Sequence, residues 1–298
     1  MAERIFDEKT LRKLDRLIIV ANRIRSGAIK GERRSSRRGT SIEFADYRNY
    51  VRGDDLRRVD WNIYARLERP FIKLLEDEED LALHLLLDAS ASMDWPRSGN
   101  HDLEKFLYAR RVVAGLAYIA LGSGDQVTVS MLREGGVGRW GPLRGRGHIL
   151  GLLAWLEKAT ARGSIDLNQS LRDYAVQTAR AGVCVVLSDF MSPEGFEDGL
   201  RALQGRGHEV TAIHILSPDE ISPEITGDLK LVDVETGASQ DVTIDAAMLE
   251  LYLQRLQAWQ AEIGAYCTRR GIHYVPIDTR TPWEQLILSE LRRARVVH

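Results

Sequence analysis

The chain has 298 residues, 44% hydrophobic and 28% charged, with 41 basic against 43 acidic side chains. That apolar share excludes wholesale disorder, and a net charge of −2 excludes whole-surface binding to nucleic acid or an anionic membrane. Two cysteines, Cys184 and Cys267, rule out a disulfide framework and a four-cysteine zinc site, and fit a reducing compartment.

The first ten residues, MAERIFDEKT, are polar and lack the apolar stretch of a signal peptide. The longest nearly uninterrupted apolar run, Val112 to Gly122, is too short to cross a bilayer. The expectation is a cytoplasmic protein with no membrane span. In residues 7–27, Leu11, Leu14, Leu17, Ile18, Ala21 and Ile24 recur at helical steps. The stretch KGERRSSRRG follows at 30–39, and the first forty residues carry 12 basic and 5 acidic side chains. No aromatic residues interleave with these arginines, so the segment reads as a solvated linker or a docking surface for an acidic partner rather than a nucleic-acid arm.

Residues 40–80 are dense in charge and aromatics. Phe71 to Leu75 reads as a strand, and the five acids Glu76 to Asp80 are expected in solvent. Arg48, Arg57 and Arg66 with Asp54, Asp55 and Asp60 would form either a buried ion-pair network or a partner-binding surface, the first being favoured. Trp61 is expected to be a core anchor. Too little continuous apolar sequence is present for an independent core. Residues 1–80 are therefore expected to pack on a main domain, 81–298.

From residue 81 buried strands and amphipathic helices alternate. LALHLLLD (81–88), DQVTVSML (125–132), VCVVLSD (183–189), HEVTAIHIL (208–216) and IHYVPI (272–277) read as strands. A short strand is expected around 139–143. Helices are expected near 102–121, 148–160, 167–180, 194–205 and 245–270, with a last one starting near Pro282. The pattern predicts an α/β fold, a mostly parallel sheet covered on both faces. Residues 228–244 break the rhythm and read as an inserted β-hairpin.

The strongest chemical signal is Asp88-Ala89-Ser90-Ala91-Ser92, at the carboxyl end of the most apolar strand. In open parallel sheets, ligands bind in the crevice at those strand ends. One carboxylate and two hydroxyls supply hard oxygens of the kind magnesium takes in an octahedron. Asp189 ends a second buried strand at the same sheet edge. The same residues would equally serve to cap the following turn, and the residues alone leave both readings open. Three weaker signals fall away. Gly136-x-Gly138-x-x-Gly141 is followed by Pro142 and opens no helix. His208, Glu209 and His214 lie on a strand with the wrong spacing for a zinc helix. His84 sits inside a buried strand and reads as a core histidine.

Asp-x-Ser-x-Ser after the first strand, then a long helix and a later strand ending in Asp, resemble the von Willebrand factor A-type domain. The upstream residues Glu43-Phe44, Arg48-x-Tyr50, Gly53-Asp54-Asp55-x-Arg57, Asp60-Trp61 and Ala65-Arg66, with Asp233-x-Glu235-Thr236-Gly237, look like the signature of the bacterial family called domain of unknown function fifty-eight. The resemblance covers about residues 10–280. It implies a metal-ion-dependent adhesion site at Asp88, Ser90, Ser92 and Asp189, holding magnesium. It also implies partnership with a MoxR-type AAA+ ATPase in assembly or chaperone-like tasks. One departure matters: Gly163-Ser164-Ile165-Asp166-Leu167 puts Ile165 where that site has a threonine ligand. Ser164 or Asp166 would have to substitute, or the site is degenerate.

The resulting expectation is a non-catalytic, magnesium-dependent protein-interaction module. The alternative is a metal-dependent hydrolase in which Asp88 and Asp189 hold magnesium and Ser90 or Asp88 attacks a phosphate ester.

Overall fold

The computed structural model describes residues 18–19, 42–51, 59–77, 81–96, 100–234, 237–293 and 296–297. The chain divides into two compact units, Lys30–Asp80 on one hand and Met1–Ile29 with Leu81–His298 on the other. The expected basic linker, Asp54, Asp55 and Arg57 lie outside the described residues, as does nearly all of the expected helix at 7–27.

In the smaller unit, β1 (Ile42–Asn49) is followed by α1 (Trp61–Leu67) and β2 (Phe71–Asp77). The two strands pair antiparallel, with a register shift between Phe44 and Asp46. The ladder carries β2 through Glu76 and Asp77, so the strand takes in the first two acids of the run expected in solvent. Arg48 lies on β1, opposite Ile72. Asp60 caps α1: its Oδ1 accepts from the N–H groups of Asn62 at 2.9 Å and Ile63 at 3.2 Å, satisfying donors that the first turn leaves open. The core role expected of Trp61 is corrected. It is 60% exposed and its ring meets only the edge-on ring of Tyr64, 5.9 Å away, among the aromatic contacts described. The cause is α1 itself, which buries none of its residues. Arg66 is likewise exposed, in the last turn, where a cation complements the helix dipole.

The larger unit holds β3 (Ala82–Asp88), α2 (Lys105–Gly122), β4 (Gln126–Arg133), β5 (Gly136–Arg144), α3 (Ile149–Glu157), α4 (Leu167–Gln177), β6 (Val183–Ser188), α5 (Glu197–Gly205), β7 (Glu209–Leu216), α6 (Pro218–Ile221), β8 (Gly227–Val232), β9 (Ser239–Ile244), α7 (Ala246–Arg270) and β10 (His273–Asp278). Six strands form one sheet in the order β10-β7-β6-β3-β4-β5. All neighbours run parallel except the edge strand β5, which pairs antiparallel with β4. The expected mostly parallel α/β sheet is thus observed. β8 and β9 form a separate two-stranded hairpin, at the insertion read from residues 228–244. Ile19 makes an isolated antiparallel bridge with Val297.

The period of two along each strand sorts side chains into two cores. Leu83, Leu85 and Leu87 of β3, Val185 and Leu187 of β6, and Ile213 and Ile215 of β7 share one cluster with α2, α3 and the helical residues 283–293. Leu86, Cys184, Val186, Val210 and Ala212 share the other with α4, α5 and α7. Burying each such aliphatic side chain is worth about 1.5–3 kcal/mol, so replacing one by a polar residue forfeits that gain and buries a polar group that needs a partner. Gly115 lets α2 approach residues 283–293 closely. A Cβ there would lie 2.6 Å from Ile287 Cδ1 and 2.9 Å from Trp283 Cζ3. Gly115→Val is expected to destabilise the fold by about 1–3 kcal/mol, outweighing the gain of a few tenths in helix propensity. A lower urea midpoint with unchanged slope would show it.

The topology places the site. From β3 the chain crosses through α2 to β4 and hairpins into β5. It then returns through α3 and α4 to β6 on the other side of β3. Strand order reverses between β3 and β6, and the crevice at the carboxyl ends of two such strands is where open α/β sheets bind ligands. Asp88 is the last residue of β3, and Asp189 directly follows β6.

Candidate functional site

Asp88 is buried, 3% exposed, and both of its oxygens are engaged. Oδ1 accepts the Ser90 N–H at 2.9 Å, and Oδ2 accepts the Ser188 hydroxyl at 2.6 Å. Ser188 in turn accepts the Phe190 N–H at 2.9 Å, so one hydroxyl ties β3 to the turn that leaves β6. Ser90 and Ser92 bond each other, Oγ to Oγ, at 3.0 Å. Burial first, and then the negative charge of Asp189, push the Asp88 carboxyl up to about 6, against hydrogen bonds from Ser188 and Ser90.

Asp189 is also buried, and it meets a partner the sequence reading did not name. Lys105 Nζ donates to Asp189 Oδ2 at 2.8 Å and to Glu220 Oε1 at 2.5 Å. The Lys105 side chain is fully buried. Burial alone would raise the Asp189 carboxyl, but the Lys105 ammonium and hydrogen bonds from Met191 N–H and Ser92 hold it below its ordinary value. Burial likewise opposes the charge on Lys105, and the two carboxylates overcome it and hold its pKa above the ordinary value. Glu220 Oε2 accepts the Ser217 N–H at 2.7 Å, at the start of α6. The ammonium therefore joins the turns after β6 and β7 to the first residue of α2.

Phe190, between Asp189 and Met191, adopts a left-handed backbone with φ 55. It is 2% exposed, and its ring stacks edge-on against Phe196 at 5.1 Å and His214 at 5.6 Å. This packing holds a conformation that costs a bulky side chain of order 1–3 kcal/mol, and it aims the Asp189 carboxylate at Lys105.

Beside the carboxylates opens an apolar groove of about 440 Å³. Ser92, Trp95 and Met191 form its wall toward the site, and Leu231 of the hairpin with Met248 and Tyr252 of α7 line it farther out. Trp95, Met191, Leu231, Met248 and Tyr252 are all exposed. The inserted hairpin and the long helix thus build a hydrophobic face directly next to the switch point. No helix among the described residues is long and apolar enough to cross a membrane.

Residues 46–262 match the family described as Protein of unknown function DUF58. The chain belongs to the DUF58 family. Two relatives are Uncharacterized protein Mb1516 of Mycobacterium bovis and Uncharacterized protein Rv1480 of Mycobacterium tuberculosis. Each is 27% identical over 282 residues, covering 94% of this chain and 88% of the relative. Among solved structures, the conserved hypothetical protein BatB from Bacteroides thetaiotaomicron aligns with a TM-score of 0.43 at 16% identity, over 72% of this chain and 98% of that one.

In this DUF58 chain the structure brings together Asp88, Ser90, Ser92 and Asp189. It does not bring Ser164 into the set. Ser164 is exposed, and Ile165 turns into the second core at 6% exposure. Asp166 caps α4, its Oδ1 accepting the Gln169 N–H at 2.8 Å. The loop still touches the site through its backbone, because Gly163 O accepts the Ala91 N–H at 2.8 Å. A magnesium ion needs unengaged hard oxygens around an octahedron. Here the oxygens of both aspartates are engaged, and one holds an ammonium. Among the described residues no three His, Cys, Asp or Glu side chains converge as metal ligands.

The three missed residues, Lys105, Glu220 and Ser188, left unequal traces. A lysine opening the apolar helix KFLYARRVVAGLAYIALG stands against the helix dipole, a usable sign that carboxylates hold it. Glu220 and Ser188 carried none, being an ordinary first-turn acid and a strand-end serine. The buried histidines bond tyrosines: His84 Nδ1 bonds Tyr174 Oη and His214 Nδ1 bonds Tyr274 Oη, each at 2.7 Å, and His214 also lies near enough to Asp189 and Lys105 to feel both charges.

Proposed function

We propose that this DUF58 chain is a non-catalytic protein-interaction module, an adaptor for a MoxR-type AAA+ ATPase. The observation that carries the reading is the apolar groove at the strand-reversal crevice. Exposed apolar surface of this kind marks protein-binding sites, and a hairpin inserted into the α/β unit exists here to wall it. The ATPase follows from the resemblance of residues 43–66, 88–92 and 233–237 to that adaptor family. The hydrolase alternative draws less support. It would have Ser90 or Asp88 attack, yet each is 3% exposed, the Ser90 hydroxyl bonds the Ser92 hydroxyl rather than a base, and both Asp88 oxygens accept hydrogen bonds from Ser90 and Ser188.

The test mixes the purified full-length chain with the MoxR-type ATPase of its own host and reads complex formation by analytical ultracentrifugation. Leu231 and Met248 are each 47% exposed, so Leu231→Asp and Met248→Asp should fold normally. Each is expected to weaken the complex by at least about tenfold, the scale of losing an apolar anchor. Undiminished binding by both variants would remove the groove from the interface. Absence of any complex, with phosphatase turnover lost in Asp88→Ala, would replace the adaptor reading by the hydrolase.

A further inference from the structure

We propose that Lys105 is the resident cation of the Asp88–Asp189 site, so that this face works without a divalent metal and removal of Lys105 creates a metal site. The inference rests on the geometry of the site and stands apart from the adaptor reading.

The first observation is placement. The Lys105 N–H donates to Trp95 O at 2.8 Å, which anchors the start of α2 beside the Ser90–Ser92 turn. Its side chain then runs inward to Asp189 Oδ2 and Glu220 Oε1. An ammonium has three donors and no acceptor, so it bridges carboxylates as a bound cation would. The second observation is enclosure. The side chain is fully buried, and Asp189 is 1% exposed. An incoming ion would have to expel the ammonium from Asp189, leaving a charged group with no water to receive it. Third, the position that a metal-ion-dependent site would fill with a hydroxyl ligand holds Ile165, which packs in the core. The isoleucine and the lysine point the same way: the site is short of a hydroxyl ligand and already holds a cation.

A tethered ammonium differs from a bound ion in one functional respect. It is always present, so contacts made by this face respond neither to divalent-ion concentration nor to chelators. Ser92 then acts as a hydrogen-bonding group in the wall of the groove, with the buried Ser90 hydroxyl bonded behind it, rather than the two acting as ligands.

The test uses the purified chain alone, with Mn²⁺ and Mg²⁺ as probes. Binding is followed by calorimetry and by the electron paramagnetic resonance signal of free Mn²⁺. The wild type is expected to show no saturable site at millimolar ion, and Asp88→Asn to match it. Lys105→Ala is expected to gain one Mn²⁺ site at least about tenfold tighter than any wild-type binding, to rise in Tm when Mn²⁺ is added, and to lose both in Lys105→Ala/Asp88→Asn. Saturable wild-type binding that disappears in Asp88→Asn would overturn the proposal. So would a folded Lys105→Ala that binds no Mn²⁺. If Lys105→Ala does not fold, Lys105→Gln carries the same comparison.

Discussion

Lys105→Met is expected to destabilise the fold by about 3–5 kcal/mol, the usual result of removing one partner from a buried ion pair. Methionine matches the length of lysine and fills similar volume, so the loss is chiefly electrostatic. Asp189 and Glu220 would be left facing each other across a site in which Lys105 is fully buried and Asp189 is 1% exposed. Asp189→Asn should cost a comparable amount, because it strands the ammonium. The double variant Lys105→Met/Asp189→Asn removes both charges and is expected to be more stable than the two single losses added together, with a coupling of about 0.5–3 kcal/mol. The Lys105→Met loss should also shrink in acid, since protonating Asp189 removes the uncompensated charge. Urea unfolding of the four proteins measures all of this. A Lys105→Met protein within about 1 kcal/mol of wild type would mean that the pair does not hold the sheet edge.

That pair also explains how much of the site was legible in the sequence. Asp88, Ser90, Ser92 and Asp189 were visible because they are polar residues at the ends of strands that are otherwise apolar. A strand buried on both faces has only its end to offer to chemistry. The sheet was legible for the same reason, as Leu83 to Leu87 and Val183 to Leu187 read as continuous apolar runs. Lys105 was not, because its role depends on a carboxylate 84 residues away and on a turn 115 residues away, and no local period reports such separations. Trp61 misled for a different reason. An aromatic residue in a charged segment suggests an anchor, but whether it is buried depends on whether its helix has a core to face, and α1 buries nothing. Strand β1 escaped notice because its residues alternate charge and aromatics without a clean apolar face, and only pairing with β2 reveals it. The groove was invisible in sequence. It arises where the hairpin and α7 come to lie beside the Ser92 turn, and each element alone reads as an ordinary amphipathic piece.

Acid is expected to weaken the fold well above the pH at which ordinary carboxylates protonate, and the buried histidines are the cause. His84 is 5% exposed, with Nδ1 on Tyr174 and its ring edge-on to His208 at 4.8 Å. Burial, aided by the charge of His208, lowers its pKa from 6.5 to about 3. Burial takes His214 down to about 4. In the unfolded chain both imidazoles accept a proton below about pH 6.5, whereas the folded chain refuses it until near those lower values. The stability they contribute is therefore complete above about pH 6.5 and is lost as pH falls through the folded pKa values, at about 1.4 kcal/mol per pH unit for each. Asp88 acts in the opposite sense. Its carboxyl is raised from 3.8 to about 6, so the folded chain takes that proton first and gains stability as pH falls from about 6 toward 3.8. Two imidazoles outweigh one carboxyl, and the net loss between about pH 7 and about pH 5 is on the order of 3 kcal/mol. His84→Gln keeps a partner for Tyr174 and removes one of the two imidazoles. Its stability should fall less steeply over that interval, by about one proton's worth of slope, or roughly 2 kcal/mol at about pH 5. Urea midpoints at the two pH values give the slopes directly. Parallel pH profiles for wild type and His84→Gln would mean that His84 takes up its proton in the folded chain as readily as in the unfolded one. The buried strand β3 would then hold a charge beside Tyr174 and His208 that its core has no means to balance.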